Sequence, residues 1–148
     1  GRMKAWVIRD ARAADHADLA DLFTELGYPS TPAEIADRLP HVLHRPDQRV
    51  LVAEDGKAVG CLHVMTAVTL ENGRYAQIVG LVVASTHRRS GIGRALVAAA
   101  EQWATLQGCP RMLVRTNTVR VEAPKFYAGI GYTISKTQYA FVKRLPAG

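Results

Sequence analysis

Apolar positions in the first third of the chain follow the spacing of a strand and then that of two helices. Lys4 to Arg9 alternates between apolar and polar residues, as a half-buried strand does. Asp15 precedes apolar positions at helical spacing and is a candidate N-cap, with Gly27 ending that helix. Thr31 to Glu34 is a capping box with proline at the first helical position. The pattern therefore predicts a strand and two helices, the second kinked or split near Pro40.

The rest of the chain alternates between strand and helix patterns, with glycines marking several turns. Two apolar runs flank Asp55-Gly56, a dipeptide typical of a β-hairpin. A longer segment from Gly91 to Gln107 is ended by Gly108 and Pro110, and one of its helical faces is lined by Ile92, Ala95, Leu96, Ala99, Trp103 and Leu106. The patterns predict strands at 50–54, 58–66, 75–83 and 112–116, helices at 91–107 and 122–130, and closing strands at 133–134 and 138–144. The chain is thus predicted to be an α/β protein.

A basic turn with two glycines joins an apolar strand to the helix that follows. The first amides of a helix have no acceptor within the helix, and the helix dipole puts partial positive charge at that end. Gly91 and Gly93 lack the Cβ atoms that would hold a phosphate away, and Arg88, Arg89 and Arg94 add positive charge. The turn is therefore predicted to bind a phosphate.

Spacing separates three kinds of phosphate-binding turn. A dinucleotide fingerprint needs a third glycine or alanine where this chain has Leu96, and the Gly-Lys-Ser/Thr of a nucleoside-triphosphate loop does not occur. What remains is Arg88-x-x-Gly91-x-Gly93, which by itself fits an ordinary basic helix start equally well. A second motif follows later in the chain, Ala123-Pro124-Lys125-Phe126-Tyr127-Ala128-Gly129-Ile130-Gly131-Tyr132.

The two motifs, in this order, resemble the GNAT superfamily of acyl-CoA-dependent N-acyltransferases. The first resembles the family's pyrophosphate-binding signature and the second its later Ala-x-x-Phe-Tyr-x-x-x-Gly-(Tyr/Phe) motif. Segments 115–120 and 136–143 are also similar to small proteins of this family. The resemblance implies a mixed α/β (α+β) fold, with a mostly antiparallel central sheet of about seven strands, helices on both faces and the order βααβββαβαββ. Residues 3–148 are then expected to form one domain, with Gly1-Arg2 a remnant of a tag.

The resemblance also implies acetyl-CoA as co-substrate and no metal. The pantetheine arm would pair with the backbone of Leu81 and Val83, and an amide at Leu81 or Val82 would face the thioester carbonyl. Asn117 or Arg120 would reach the pantetheine or the 3′-phosphate, and which of them does so stays open. The residues implied in cofactor binding are Leu81, Val82, Val83, Arg88, Arg89, Ser90, Gly91, Ile92, Gly93, Arg94, Asn117, Arg120 and Tyr127.

Catalytic roles are implied for fewer residues. Tyr127 would be the general acid, because a phenol within reach can protonate the departing CoA thiolate, while Phe126 is expected to face the core. Relatives often have a glutamate near the position of Gln77, whose side chain cannot accept a proton. Glu71 and His63 are weak candidates for the general base, and proton loss through ordered water is an equal alternative.

The acceptor is the least determined part of the interpretation. Substrate selection is expected from the two helices between Asp15 and Leu43, including Tyr28, and from a loop at residues 66–74. The first hypothesis is acetyl transfer to a primary amine of a small molecule by direct attack in a ternary complex. The alternatives are a non-catalytic acyl-CoA-binding or regulatory module, favoured by Gln77, and a protein lysine or N-terminal acetyltransferase.

Composition narrows the partners and the compartment. The formal charge of +6 raises a nucleic-acid hypothesis, but the basic residues are scattered and form no arginine-rich helix. No apolar run approaches membrane-spanning length, and no secretory signal is expected. Cys61 and Cys109 lack metal-ligand spacing and are expected to be reduced. We therefore expect a cytoplasmic protein without nucleic-acid or membrane partners, and dimerisation through the terminal strands stays open.

Overall fold

A computed structural model describes residues 5–115 and 122–147. Contacts divide the chain into two compact units, 1–115 and 116–148. The second unit contains α4 (Glu122–Gly129), and the first contains β1 (Val7–Asp10), α1 (His16–Leu26), α2 (Pro32–Leu43), β2 (Gln48–Glu54), β3 (Ala58–Thr69), β4 (Gly73–Val83), α3 (Ile92–Leu106) and β5 (Met112–Val114). Short 3₁₀ turns lie at Ala13–Asp15 and Ser85–His87. The predicted order is confirmed as far as α4, and the single domain stays a prediction.

The strands of the first unit form one sheet in the order β1-β2-β3-β4-β5. Neighbouring strands are antiparallel except β4 and β5, which are parallel. A parallel pair needs a crossover connection, and α3 supplies it. The mixed, mostly antiparallel sheet is therefore confirmed, although the described residues give five strands where about seven were expected.

The closing strands predicted at 133–134 and 138–144 are not formed in the described part of the chain. Residues 132–147 carry no regular secondary structure. Tyr139 and Phe141, in the longer predicted strand, are both 93% exposed. A strand needs a hydrogen-bonded neighbour, and no described strand pairs with this segment.

Helices cover both faces of the sheet in the first unit. Residues of α1 and α2 form one core cluster with Cys61 of β3 and Val82 of β4. Gly60, the neighbour of Cys61, faces Ile92 and Leu96 of α3 instead. Because successive strand residues point to opposite faces, α3 lies on the face opposite α1 and α2.

The second helix begins as predicted but continues past its proline. Thr31 Oγ1 accepts a hydrogen bond from Glu34 N at 3.1 Å, and Glu34 Oε1 accepts one from Thr31 N at 3.0 Å, which confirms the capping box. The helix then runs through Pro40 to Leu43 as one element, so the predicted split is wrong, while the alternative of a kink stays a prediction. Pro40 lies near the end of the helix, where its missing amide removes only one intrahelical hydrogen bond.

Asp15 does not cap α1 with its side chain, contrary to the sequence-based expectation. Its carboxylate accepts hydrogen bonds from the Arg12 amide at 2.7 Å and from the Arg9 guanidinium at 2.8 and 2.9 Å. Arg9 also lies 3.1 Å from Glu54. The hydrogen bonds from Arg9 lower the pKa of Asp15 although the carboxyl is buried. Asp15 therefore ties the approach to α1 to the first two strands.

Gly60 sets the distance between α3 and the sheet. A Cβ on Gly60 would lie 2.8 Å from Cγ2 of Ile92 and 3.3 Å from Cδ1 of Leu96. Ile92 is the first residue of α3 and is only 1% exposed. Because Ile92 belongs to the motif predicted to bind phosphate, its packing on Gly60 also positions that motif.

Gly60→Ala is expected to lower the free energy of unfolding by about 1–3 kcal/mol, measured by urea denaturation. The β-branched Ile92 has one strongly preferred rotamer in a helix, so the first turn of α3 must shift instead. Gly129→Ala is the control, because nothing lies within 4 Å of a Cβ added there. Equal losses in the two variants would show that contact with α3 is not the cause.

Candidate active site

The turn between β4 and α3 is exposed and leaves its backbone amides free. Ser90, Gly91 and Arg94 are exposed, whereas Ile92 is buried beneath them. No acceptor among the described residues meets the backbone N–H groups of residues 88–94, and no side chain caps the helix. A run of free amides at a helix start attracts an anion, because the helix dipole adds positive charge there.

Two residues of this turn have a left-handed backbone. The φ angle is 61° at Arg89 and 87° at Gly91. Such reversals turn successive N–H groups toward one side and form a concave anion site. Within 4 Å, a Cβ added to Gly91 would meet only Trp6 of the described residues, at 3.9 Å. The turn therefore has both the donors and the space for a phosphate.

The three arginines of the turn differ in their surroundings. Arg88 turns back toward the fold, with Nη2 at 3.3 Å from Glu25 Oε1 and Nε at 3.5 Å from the Val83 carbonyl. All three arginines are exposed. The positive charge predicted from the motif is present, and part of it is already paired within the protein.

β4 separates from β5 before it reaches the turn. Their pairing ends at Ile78 and Val114. Val79 forms a bulge just beyond this point, because His63 of β3 pairs with Gly80 while the next residue pairs with Ile78. A bulge bends a strand and increases its twist. The end of β4 therefore has a free edge on the β5 side within the described residues.

The hydrogen-bond pattern shows which backbone groups face this free edge. The Ala84 amide donates to the Val59 carbonyl of β3 at 2.8 Å. Directions alternate along a strand, so the groups of Val82 also face β3, while those of Leu81 and Val83 face the free edge. This geometry supports Leu81 and Val83 as pairing positions. The Val82 amide points the other way, toward β3.

Glu71, one candidate for the general base, lies far from the end of β4 that carries Leu81. Glu71 lies at the tip of the β3–β4 hairpin, just before Gly73, and is exposed. At the rise of a strand, Gly73 and Leu81 are about 26 Å apart, so Glu71 does not fit that role. Gln77 pairs with Met65, and its Oε1 accepts a hydrogen bond from Arg115 at 3.2 Å.

His63 lies beside the bulge, directly opposite Gly80. A Cβ on Gly80 would contact Phe23 of α1 at 3.4 Å, and directly paired residues share a face, so His63 is on the face covered by α1. Its Nε2 is 2.7 Å from Gln48 Oε1. Burial lowers the pKa of His63, which keeps the imidazole neutral at pH 7 and able to accept a proton.

The second unit carries the aromatic pair of the second motif on α4. The ring of Tyr127 lies edge-on to those of Phe126 and Tyr132, with centroids 5.1 and 5.6 Å apart. Phe126 and Tyr127 are both half-buried, and the core-facing role of Phe126 stays a prediction. Burial raises the pKa of Tyr127 to about 12, so the phenol keeps its proton. Asn117 and Arg120 lie outside the described residues.

Two features are expected to select the acceptor, and the structure changes the extent of one of them. Tyr28 is 63% exposed and follows Gly27, where α1 ends. The loop predicted at residues 66–74 is shorter, because β3 extends to Thr69 and β4 begins at Gly73. Only residues 70–72 connect the two strands, so this hairpin offers a narrow tip rather than a broad loop.

The first unit thus combines a turn of free backbone amides with a free strand edge leading away from it. This combination fits an extended ligand with phosphates at one end and an amide-containing arm, which is the chemistry of coenzyme A. The sequence model of a protein family, described as the acetyltransferase (GNAT) family, matches residues 13–132. The chain belongs to the GNAT acetyltransferase family, whose members are N-acetyltransferases that use acetyl-CoA as co-substrate.

Relatives of known description agree with this assignment. The aminoglycoside N(6')-acetyltransferase type 1 of Klebsiella aerogenes is 30% identical over 135 residues, covering 86% of this chain and 89% of the relative. Acetyl transferase GW6a of Oryza sativa subsp. japonica is 32% identical over 67% of this chain, which spans 27% of that protein. A solved structure of a transcriptional regulator from Bacillus halodurans has a TM-score of 0.85 at 23% identity, covering 93% of this chain and 99% of that one. The last likeness shows the fold.

The described residues contain neither a membrane-spanning helix nor a candidate metal site. No helix in residues 5–115 or 122–147 is long and apolar enough to cross a membrane. The same residues hold no group of three His, Cys, Asp or Glu side chains that could hold a metal ion.

Proposed function

We propose that this chain transfers acetyl from acetyl-CoA to a primary amine of a small molecule, by direct attack in a ternary complex. The observation that carries the proposal is the continuous path from the free amides at 88–94 to the free edge of β4. A diphosphate at the turn would direct the pantetheine arm along Leu81 and Val83, toward the bulge at Val79. The aminoglycoside acetyltransferase relative, matched over 89% of its length, supports a small-molecule acceptor.

The residues of the site then have distinct roles. The diphosphate would be bound by the turn, which consists of Arg88, Arg89, Ser90, Gly91, Ile92, Gly93 and Arg94. The Leu81 amide would donate to the thioester oxygen as negative charge develops on it, a contribution of about 3 kcal/mol for a well-placed donor. Tyr127 would protonate the departing thiolate, and its raised pKa, about 12, keeps the proton available. Asn117 and Arg120 stay proposed cofactor contacts.

His63 is the described side chain best suited to take the proton from the attacking amine. It lies on the α1 face beside the bulge, next to the position proposed for the thioester. Its hydrogen bond to Gln48 fixes the ring, and its lowered pKa keeps it in the accepting form. Proton loss through ordered water is the alternative.

His63→Gln is expected to lower kcat/KM for the amine by about 10- to 100-fold near pH 7. Glutamine can keep a hydrogen bond to Gln48 but cannot accept a proton from an ammonium group. The deficit is expected to shrink as the pH rises toward the pKa of the amine, because the acceptor then loses its proton unaided. His44→Gln, at an exposed position, is the control. A pH-independent deficit would contradict the role of a base.

The activity is tested by incubating the protein with acetyl-CoA and a panel of amines. The panel contains aminoglycosides, amino sugars, polyamines and lysine peptides, and released CoA thiol is measured together with the mass of the acetylated product. Turnover of a small amine is the expected result. Turnover of peptides alone would instead favour a protein acetyltransferase.

A non-catalytic acyl-CoA-binding module is the second candidate, and Gln77 in place of a carboxylate is the observation that favours it. It predicts CoA binding by calorimetry without turnover of any amine in the panel.

The free thiols of Cys61 and Cys109 support a cytoplasmic location, and a homodimer stays a prediction.

A further inference from the structure

We propose that Glu25 and Asp55 are positioning residues that hold the phosphate turn in its anion-binding shape before a ligand arrives. The two carboxylates come from different elements, α1 and the β2–β3 turn, and neither belongs to the phosphate-binding motif. The inference rests on the proposed role of the turn at residues 88–94.

Glu25 holds the side of the turn that leaves β4. Its Oε1 accepts a hydrogen bond from the Ser85 amide at 2.7 Å and lies 3.3 Å from Nη2 of Arg88. Arg88 in turn points its Nε at the Val83 carbonyl, 3.5 Å away. One carboxylate thus fixes both the short 3₁₀ turn after β4 and the first side chain of the motif.

Asp55 holds His87, which lies between the two residues that Glu25 contacts. Its Oδ2 lies 2.8 Å from His87 Nε2, and the other ring nitrogen lies 2.8 Å from Thr86 Oγ1. The His87 carbonyl accepts a hydrogen bond from the Ser90 hydroxyl. The imidazole therefore links the β2–β3 turn to the backbone on which the free amides begin.

Arg89 follows the residues that Glu25 and Asp55 hold, which are Ser85, His87 and Arg88, and it has the left-handed φ of 61°. This conformation is unfavourable for a residue with a Cβ and persists where the surrounding structure fixes it. Arg88, on one side of Arg89, contacts Glu25, and Ser90, on the other side, donates its hydroxyl to the carbonyl of His87, whose ring contacts Asp55. The anchors therefore account for a strained backbone that would otherwise relax and turn its amides away.

Electrostatics alone predicts the opposite effect of these carboxylates. A negative charge beside an anion site opposes binding of a diphosphate, so its removal should strengthen binding. A positioning role predicts that removal weakens binding, because the amides lose their common direction. The sign of the change in affinity therefore separates the two explanations.

The test measures the affinity of the whole chain for CoA by calorimetry, for wild type, Glu25→Gln and Asp55→Asn. Each variant is expected to raise Kd about tenfold, the effect of losing one hydrogen bond to a charged group. Turnover of a thioester donor without phosphates, S-acetyl-N-acetylcysteamine, is expected to stay unchanged. Asp47→Asn is the control, because it removes a carboxylate paired with Arg45 at the other end of β2.

The outcomes separate this inference from the proposed function. Unchanged or tighter CoA binding in both variants, with normal binding by wild type, overturns the positioning role alone. Equal loss of activity with CoA-based and phosphate-free donors shows general structural damage and also overturns it. Wild type that fails to bind CoA overturns the proposed function and this inference with it.

Discussion

Gly91→Glu is expected to raise the Kd for CoA by about 100-fold or more, as measured by calorimetry. Gly91 precedes the first residue of α3, and the space in front of it is open except for Trp6 at 3.9 Å. A glutamate there would place a carboxylate among the free amides that the diphosphate is proposed to occupy. Both the amides and the positive end of the helix dipole would then be neutralised before the ligand arrives.

The fold is expected to survive this substitution, with a limited loss of stability. Gly91 has a φ of 87°, so any side chain there costs about 1–2 kcal/mol. Gly73→Glu is a closely matched control, because Gly73 also has positive φ (66°) and nothing within 4 Å of an added Cβ. It lies at the β3–β4 hairpin, far from the turn. Similar melting temperatures with CoA binding lost only in the Gly91 variant are the expected pair of results.

Tyr127→Phe is expected to lower kcat by about 100-fold while leaving the affinity for CoA nearly unchanged. The substitution removes the proton donor proposed for the thiolate but keeps the ring that packs against Phe126 and Tyr132. Tyr139→Phe is the control, since Tyr139 is 93% exposed. Equal kcat values for wild type and the Tyr127 variant, on an identified amine, would remove the phenol from the mechanism.

The pH dependence gives a second test of the same role. Burial raises the pKa of Tyr127 to about 12, above the ordinary value of a phenol. A general acid must be protonated, so kcat is expected to hold through mildly alkaline pH and to fall only as the pH approaches the raised pKa. Loss of kcat near the ordinary phenol pKa, about 10, would show that Tyr127 is not shielded in the working enzyme.

Local signals in the sequence predicted several elements correctly. The capping box at Thr31, the hairpin turn at Asp55-Gly56 and the strand–turn–helix at Gly91 depend on residues close in sequence, so a short pattern contains the information. The prediction of which face of α3 is buried was less accurate. Leu106, expected on the buried face, is 84% exposed, whereas Val97 and Ala100 are buried. A small rotation of the helix is enough for this, because it depends on the packing partner.

Features that depend on contacts between residues far apart in the chain could not be predicted from a local sequence pattern. Leu81 and Val82 looked equivalent as amide donors until the pairing of β4 with β3 showed which of them faces the free edge. Glu25 and Asp55 reach the turn from elements far away in the chain, and no local motif marks them. Gly60 did leave a signal, since a glycine inside a strand often indicates close approach of another element.

The central claim concerns the backbone amides between β4 and α3, and amide NMR observes them directly. Titration of ¹⁵N-labelled protein with CoA is expected to shift the amide resonances of residues 88–94 most strongly, with Leu81 and Val83 following. The resonance of Gly73, at the far end of β4, is expected to stay in place. Saturable CoA binding that moves other amides and leaves residues 88–94 unchanged would contradict the account.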